Sequence, residues 1–437
     1  MRTVLVTGAG GAGRTTVAAA TALAAARRGG RVLLLSCDRT PAPELVLGAA
    51  LPAPAPGADV PWGEPVELAP GLTAARVAVA EHFQDRAREL QSRGASVLDL
   101  LGAAPLDAEE LTEPPGADAL ATLTALRCAH TGPWDLVVAD MPPAHETVRL
   151  LALPEQLRRY LRRLLPPDRQ AARALRPMLA QLAGVPMPAQ RLYEAAERWE
   201  GELAAVQAVL EAPGTTVRLV AEPGPLAAAA LREARAGLAL QGCRIDSLVA
   251  NRLLPQDGTD SAGPWLAGLA AEQRGALKSL YEDFLVDGIT LCELPHLGRA
   301  PRGGGDLAEL VDRARSTTVG GGEDGGPGSA GVVEGEGLAE ELSGWTGRPG
   351  ADGTWTVDDR LATDGVLLWR LPLAGADRDG LDLVRRGDEL IVTVGPFRRV
   401  LPLPSALRRC TVSGAALRDG ALCVRFTPDP AQWPRTS

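Results

Sequence analysis

Lysine is almost missing from this chain: of its 45 basic residues, Lys278 is the one lysine. Chemistry that needs a lysine anywhere else is thereby excluded, and the arginine-heavy usage is that of a GC-rich genome. Paired cysteines are missing as well. The six thiols, Cys37, Cys128, Cys243, Cys292, Cys410 and Cys423, are scattered and form no C-x-x-C, so no structural zinc is expected and the thiols read as buried and inert. No apolar run approaches the ~20 residues needed to span a bilayer. The chain also opens directly on a strand-like segment, so a cytoplasmic, soluble protein with no integral membrane segment is expected. Positive charge is short too: a net charge of −9 argues against nucleic acid as a partner, because phosphate contacts need a basic surface. The main basic runs, Arg158-Arg159, Arg162-Arg163 and Arg169, lie at helical spacing and read as a solvated helix face.

The 437 residues leave room for two domains, and a hydrophobic content of 46% is that of an ordinary globular core. Arg2 to Thr7 is a short β-branched run that ends directly on Gly8-Ala9-Gly10-Gly11-Ala12-Gly13-Arg14-Thr15-Thr16. An alanine-rich, helix-forming stretch follows from Val17 to Arg28, closed by Gly29-Gly30. From Gly8 to Thr15 the spacing fits the P-loop pattern G-x-x-x-x-G-K-[ST], with Arg14 in the lysine position. Gly8, Gly10 and Gly13 also satisfy the G-x-G-x-x-G of a dinucleotide-binding turn, so this segment alone leaves both readings open. In a P-loop the glycines let backbone N–H groups surround phosphate oxygens, the helix N-terminus adds partial positive charge, and the Thr15 hydroxyl is a ligand for Mg²⁺. Arg14 keeps the lysine's charge on a longer, planar group.

Later segments decide between the two. Arg31 to Ser36 is a strand followed by Cys37-Asp38, which puts an acid at the C-terminal edge of a parallel strand, where ligands of open α/β sheets bind. Trp134 to Asp140 is an apolar strand ending in an acid at the Walker B position. It runs on into Met141-Pro142-Pro143-Ala144-His145-Glu146-Thr147-Val148-Arg149-Leu150-Leu151-Ala152-Leu153-Pro154, and a later strand, Ser247 to Arg252, carries Asn251. These segments resemble the ArsA family, the arsenite-pump ATPases and their relatives that target tail-anchored membrane proteins. The likeness lies in Asp38, in a D-x-x-P-x-x-H-T-x-R-L-L-x-L-P segment from Asp140 to Pro154 with one extra residue after His145, in Thr215 to Leu226, and in Asn251. It covers most of residues 1–315.

The resemblance implies an α/β P-loop NTPase with a mostly parallel, doubly wound sheet and a helical insertion, using ATP and Mg²⁺ in a dimer that closes around nucleotide. It implies that Gly8, Gly10, Gly11, Ala12, Gly13, Arg14, Thr15 and Thr16 hold phosphates. Thr15 and, through water, Asp140 would hold Mg²⁺, Asp38 would place the attacking water, and Asn251 would meet adenine with Pro295 close by. His145 reads equally as a switch residue or a loop histidine, and Asp38 also as a turn or cap residue.

Departures from the family pattern bear on activity. The family's signature lysine, which reaches the partner's phosphates across the dimer, is here Ala9. Loss of a charged stabiliser of phosphoryl transfer costs orders of magnitude in rate, so a homodimer is expected to hydrolyse ATP poorly or not at all. A heterodimer with a lysine-bearing ArsA-like paralogue would complete the site. The competing reading is a non-catalytic, chaperone-like scaffold with a relic P-loop that works by binding a protein client. The family's Pro-Ala-His after the first acid is Arg39-Thr40-Pro41, and Pro264 to Gln273 lacks the cysteine pair that bridges zinc in many members.

Domain organisation follows from composition. By the resemblance, residues 1–315 are read as the nucleotide domain, with the leucine- and alanine-rich residues 155–212 as its helical insertion. Its Met178 and Met187 either line a client groove or pack on the domain. Residues 316–361 read as a Gly-rich acidic linker around a short helix at Leu338 to Leu342, since Gly320 to Gly353 holds 13 glycines and seven acids. Residues 362–430 carry strand-like runs at Gly365 to Leu373, Leu381 to Arg386, Glu389 to Gly395, Arg398 to Leu403 and Gly420 to Phe426. They resemble the small-heat-shock-like (α-crystallin-type) β-sandwich appended to many bacterial ArsA-family proteins. That likeness implies either protein binding through exposed sheet edges or a passive stabilising role.

Overall fold

A computed structural model describes residues 1–95, 102–165, 188–255, 263–285, 289–318, 331–334 and 355–431. The strands of the first sheet are β1 (Arg2–Gly8), β2 (Val32–Ser36), β3 (Val66–Ala69), β4 (Leu72–Arg76), β5 (Leu136–Asp140), β6 (Thr215–Ala221), β7 (Ile245–Leu253), β8 (Thr290–Pro295), β9 (Arg315–Thr318) and β10 (Gly331–Glu334). They lie in one ten-stranded sheet of order β10-β9-β8-β7-β6-β1-β5-β2-β4-β3. From β8 to β4 the pairing is parallel, and antiparallel strands close both edges. Both faces are covered, so β2 and β5 are near-continuous apolar runs instead of alternating, while β6 carries a fully buried Arg218 paired with Asp246 of β7.

The helices are α1 (Arg14–Arg27), α2 (Ala42–Leu47), α3 (Val79–Arg93), α4 (Ala117–His130), α5 (Ala144–Leu164), α6 (Pro188–Glu211), α7 (Pro225–Leu240), α8 (Pro264–Leu285) and α9 (Gly303–Asp312). Every residue of α1 from Thr16 to Ala26 is buried, which explains its alanines: a helix covered on all sides by sheet, α2 and α9 has room only for small side chains. Val4, Val6 and Val138 face that layer, while Leu5, Val137 and Ala139 face the layer that holds α4, α5, α7 and α8. Among the described residues no helix is long and apolar enough to cross a membrane.

Two features differ from the sequence expectation. Helix α5 runs unbroken through buried Pro154 to Leu164, so the start of the insertion at residue 155 is a continuation of the segment after Asp140. The proline gives up one helical hydrogen bond, and packing against α6 and α7 carries the helix onward. β10 and β11 (Thr356–Arg360) lie inside the stretch read as linker, because the short Val332-Val333 run pairs with β9 and β11 pairs with β12 (Val366–Pro372). Leu338 to Leu342, Arg169, Met178 and Met187 lie outside the described residues.

The C-terminal unit continues with β13 (Leu381–Arg386), β14 (Glu389–Val394), β15 (Phe397–Pro402), β16 (Cys410–Arg418) and β17 (Ala421–Pro428). A four-stranded sheet, β11-β12-β17-β16, packs on a three-stranded sheet, β13-β14-β15, around Trp369, Phe426, Val392 and Leu401. β16 is an edge strand of mostly exposed, short side chains, and no apolar run announces it in the sequence.

This sandwich core is continuous with the core of the N-terminal α/β domain. Its docking face is α5 and α7. The Phe397 ring lies 5.3 Å from the His145 ring. Gly237 approaches so closely that a Cβ there would meet Phe397 at 2.6 Å and Val148 at 2.9 Å. Arg159 makes a two-pronged contact to Glu389 at 2.9 and 2.7 Å. Arg399 donates to Glu155 at 2.9 Å and to the Leu240 carbonyl at 3.0 Å, with its guanidinium over the Trp355 ring. The basic face of α5 is therefore not simply solvated: Arg158 binds Glu200 and Gln207 on α6, and Arg159 binds the sandwich. Their partners lie far away in sequence, beyond the reach of a local reading.

Candidate phosphate-binding site

β1 ends at the centre of the sheet, between β5 and β6, and the chain leaves it through the loop Ala9 to Gly13 into α1. Two glycines are required sterically. A Cβ on Gly8 would meet the Val220 carbonyl oxygen at 1.9 Å, and one on Gly13, at φ 85°, would meet Asn251 Nδ2 at 2.4 Å. Gly10 and Gly11 have nothing within 4 Å of a Cβ position, so the rim of the loop stands open. Ala12 and Thr16 are buried beneath it, while Thr15 and Arg14 are half-buried at the start of α1.

Register sets the acid. Asp140, the last residue of β5, pairs with Val6 of β1 on one side and Ser36 of β2 on the other. It is 2% exposed and accepts a hydrogen bond from Ser36 Oγ at 3.1 Å. Burial pushes its carboxyl up to about 6, against the opposing pull of a Thr15 hydroxyl hydrogen bond, the Arg14 charge and Ser36, while Asp38 adds a further push. Thr15 and Asp140 thus lie near one another, a hydroxyl and a carboxylate on the same side of the glycine loop. Mg²⁺ suits this donor set, since it takes few protein ligands and fills the rest with water and phosphate oxygens. Among the described residues no group of three His, Cys, Asp or Glu side chains is placed to hold a metal ion.

Arg14 reaches along the sheet edge and donates to the Met141 carbonyl at 2.6 Å, which ties the loop to the segment after Asp140. That segment is also held to β1: Thr7 and Thr147 both donate to the Pro142 carbonyl, at 2.6 and 2.8 Å, and their hydroxyls lie 3.0 Å apart. Asp38 stands beyond β2, and its carboxylate accepts from the Thr40 N–H at 2.8 Å, capping its own turn. Cys37 next to it is pushed up to about 12 by burial and by Asp140, so its thiol stays protonated.

Sequence comparison supplies what geometry leaves open. The family described as anion-transporting ATPase matches residues 1–313, and the HSP20-like domain found in ArsA matches residues 364–426. The chain belongs to the ArsA family. An uncharacterized Streptomyces coelicolor protein is 54% identical over 436 residues, spanning 100% of both chains. A Mycobacterium tuberculosis protein is 31% identical over 454 residues, covering 99% of this chain and 97% of its own. An Aquifex aeolicus protein provisionally named arsenical pump-driving ATPase 1 is 22% identical over 431 residues, covering 97% and 99%.

Against the ArsA expectations the remaining residues fall as follows. Ala9 donates its N–H to the Val220 carbonyl, and its methyl lies against the α1 core. Asn251 is buried and donates to the Ala12 carbonyl at 2.8 Å, so it braces the loop from below. Pro295 ends β8 opposite Leu253, near Asn251 along the same sheet edge. His145 contacts Glu233 at 3.3 Å and Phe397, which gives it partners on α7 and on the sandwich. Sequence reasoning missed Ser36, Thr7 and Arg252. Ser36 was findable from strand register, as the last residue of the strand beside Asp140. Arg252, which donates to the Gly11 carbonyl at 2.9 Å, was not, because only the backbone turn after Asn251 aims it there.

Proposed function

We propose that this ArsA-family protein is a cytoplasmic, nucleotide-dependent dimerisation switch that takes Mg²⁺-ATP into the loop Gly8 to Thr16 and hydrolyses it weakly or not at all on its own. The buried Asp140 at the end of β5, with Thr15 nearby below an open glycine rim, carries this reading. Bound Mg²⁺ would neutralise charge on the phosphate tail and fix its geometry. Thr15 and Asp140 would hold it there, the loop N–H groups would orient the phosphates, and Arg14 would add charge from the side of the Met141 carbonyl. Asp38 would position water, and Asn251 with Pro295 would border the base.

Ala9 offers no charge at the dimer-facing position, so turnover would rise only when a lysine-bearing ArsA-like partner completes the site. Restoring the lysines tests this: Ala9→Lys with Arg14→Lys is expected to raise ATP hydrolysis of the purified chain by at least tenfold. An unchanged rate in a variant that still binds ATP would overturn the claim that the lost lysines limit catalysis. A second reading, a client-binding scaffold with a relic loop, is favoured by two engaged side chains: Asp38 caps its own turn and Asn251 is bonded to Ala12.

A further inference from the structure

Arg252 is a non-glycine residue in left-handed backbone conformation, φ 58°, one position past Asn251. For an arginine this is uncommon and persists only where the surroundings hold it. Here they do. Gln273 of α8 donates from Nε2 to the Arg252 carbonyl at 3.0 Å and accepts from the Leu254 N–H at 2.8 Å, clasping the turn on both sides. The turn sends the guanidinium over the glycine loop, where Nη1 donates to the Gly11 carbonyl at 2.9 Å and to Glu222 Oε2 at 2.9 Å. Its Nε lies 3.9 Å from where a Cβ on Gly13 would stand.

We propose that Arg252 is a phosphate-tail contact supplied by this chain itself: it leaves Glu222 for a nucleotide phosphate and so provides a cation at the loop rim, where Ala9 provides none. This rests on the nucleotide reading above. Three physical points support it. The Arg252–Glu222 pair is about half exposed on each side, 45% and 49%, and such pairs contribute little, so a phosphate carrying more charge displaces the carboxylate readily. A guanidinium has five donors in a planar fork that fits phosphate oxygens two at a time. Because Asn251 is bonded to the Ala12 carbonyl and Arg252 to the Gly11 carbonyl, the arginine is fixed to the loop itself.

The test is calorimetric titration of the full chain with Mg²⁺-ATP, Mg²⁺-ADP and AMP, comparing wild type with Arg252→Gly, Arg252→Lys and Glu222→Gln. Glycine adopts the left-handed turn without strain, so Arg252→Gly is expected to fold, which a melting curve checks. The expected result is a tenfold to hundredfold loss of ATP and ADP affinity in Arg252→Gly. AMP is expected to change little, Lys to recover part of the loss, and Glu222→Gln to bind at least as tightly as wild type. Equal losses for all three nucleotides, or none, would overturn the proposal while leaving the nucleotide site standing. Absence of ATP binding by wild type would overturn both.

Discussion

Two sides of α5 are held in opposite ways. Toward the glycine loop, the segment after Asp140 hangs on single hydrogen bonds to backbone carbonyls, from Arg14, Thr7 and Thr147, beside a buried carboxylate. Toward the sandwich, the same helix is gripped by the buried Phe397 ring on His145 in its first turn and, further along, by ion contacts from Arg159 to Glu389 and from Arg399 to Glu155. Exchangeable contacts sit on the loop side, and apolar packing with paired charges sits on the side of the C-terminal domain. Any shift of the start of α5 is therefore met directly by the C-terminal domain.

The grip is where substitution should cost most. Phe397 is 3% exposed, and Phe397→Ala is expected to destabilise the chain by about 3–5 kcal/mol, read as a lower urea midpoint with loss of sandwich signals first. If the midpoint does not move, the docking face is not held by this ring.

The next effect belongs to the side of the glycine loop and depends on pH. The Asp140 carboxyl is raised from 3.8 to about 6 in the folded chain. For an acid shifted upward, its contribution to stability is complete below 3.8 and is lost as pH rises through about 6. Asp140→Asn should accordingly melt higher than ligand-free wild type above pH 6, with the gap closing toward pH 4. Melting curves across that range check it, and a constant gap would mean that ionisation of Asp140 is not the cause.

Smaller still is the Arg159–Glu389 contact, whose side chains are 20% and 28% exposed. A double-mutant cycle with Arg159→Ala and Glu389→Ala should give a coupling of about 1 kcal/mol. The Arg159 hydrogen bond holds the Glu389 carboxyl below the usual carboxylate range. The coupling should thus be present at neutral pH and disappear as pH falls through that lowered value. At the bottom of the scale, Lys278→Ala removes an exposed contact to Glu282 at 3.9 Å and should leave both melting and nucleotide binding unchanged.

Much of this was legible locally. A β-branched run ending on glycine, or an apolar run ending on an acid, records both a strand and what its edge presents, so Gly8, Asp38 and Asp140 could be placed from their neighbours in the chain. The nearness of Thr15 to Asp140 needed the parallel order of the sheet, and strand register would have added Ser36. What stayed hidden depends on distant partners or backbone conformation. Arg159 looked solvated until Glu389 met it. Arg252 looked like an ordinary strand-end residue until its φ was known. Edge strand β16 carries too few apolar side chains to announce itself.

The most direct test of the account is calorimetric titration of the purified chain with ATP in the presence and absence of Mg²⁺, alongside Asp140→Ala. The account predicts that wild type binds ATP more tightly with Mg²⁺, and that Asp140→Ala loses at least tenfold of the Mg²⁺-dependent affinity while binding metal-free ATP almost as well. No binding at millimolar ATP, or identical binding by wild type and Asp140→Ala, would contradict it and leave the glycine loop a relic within a protein-binding scaffold.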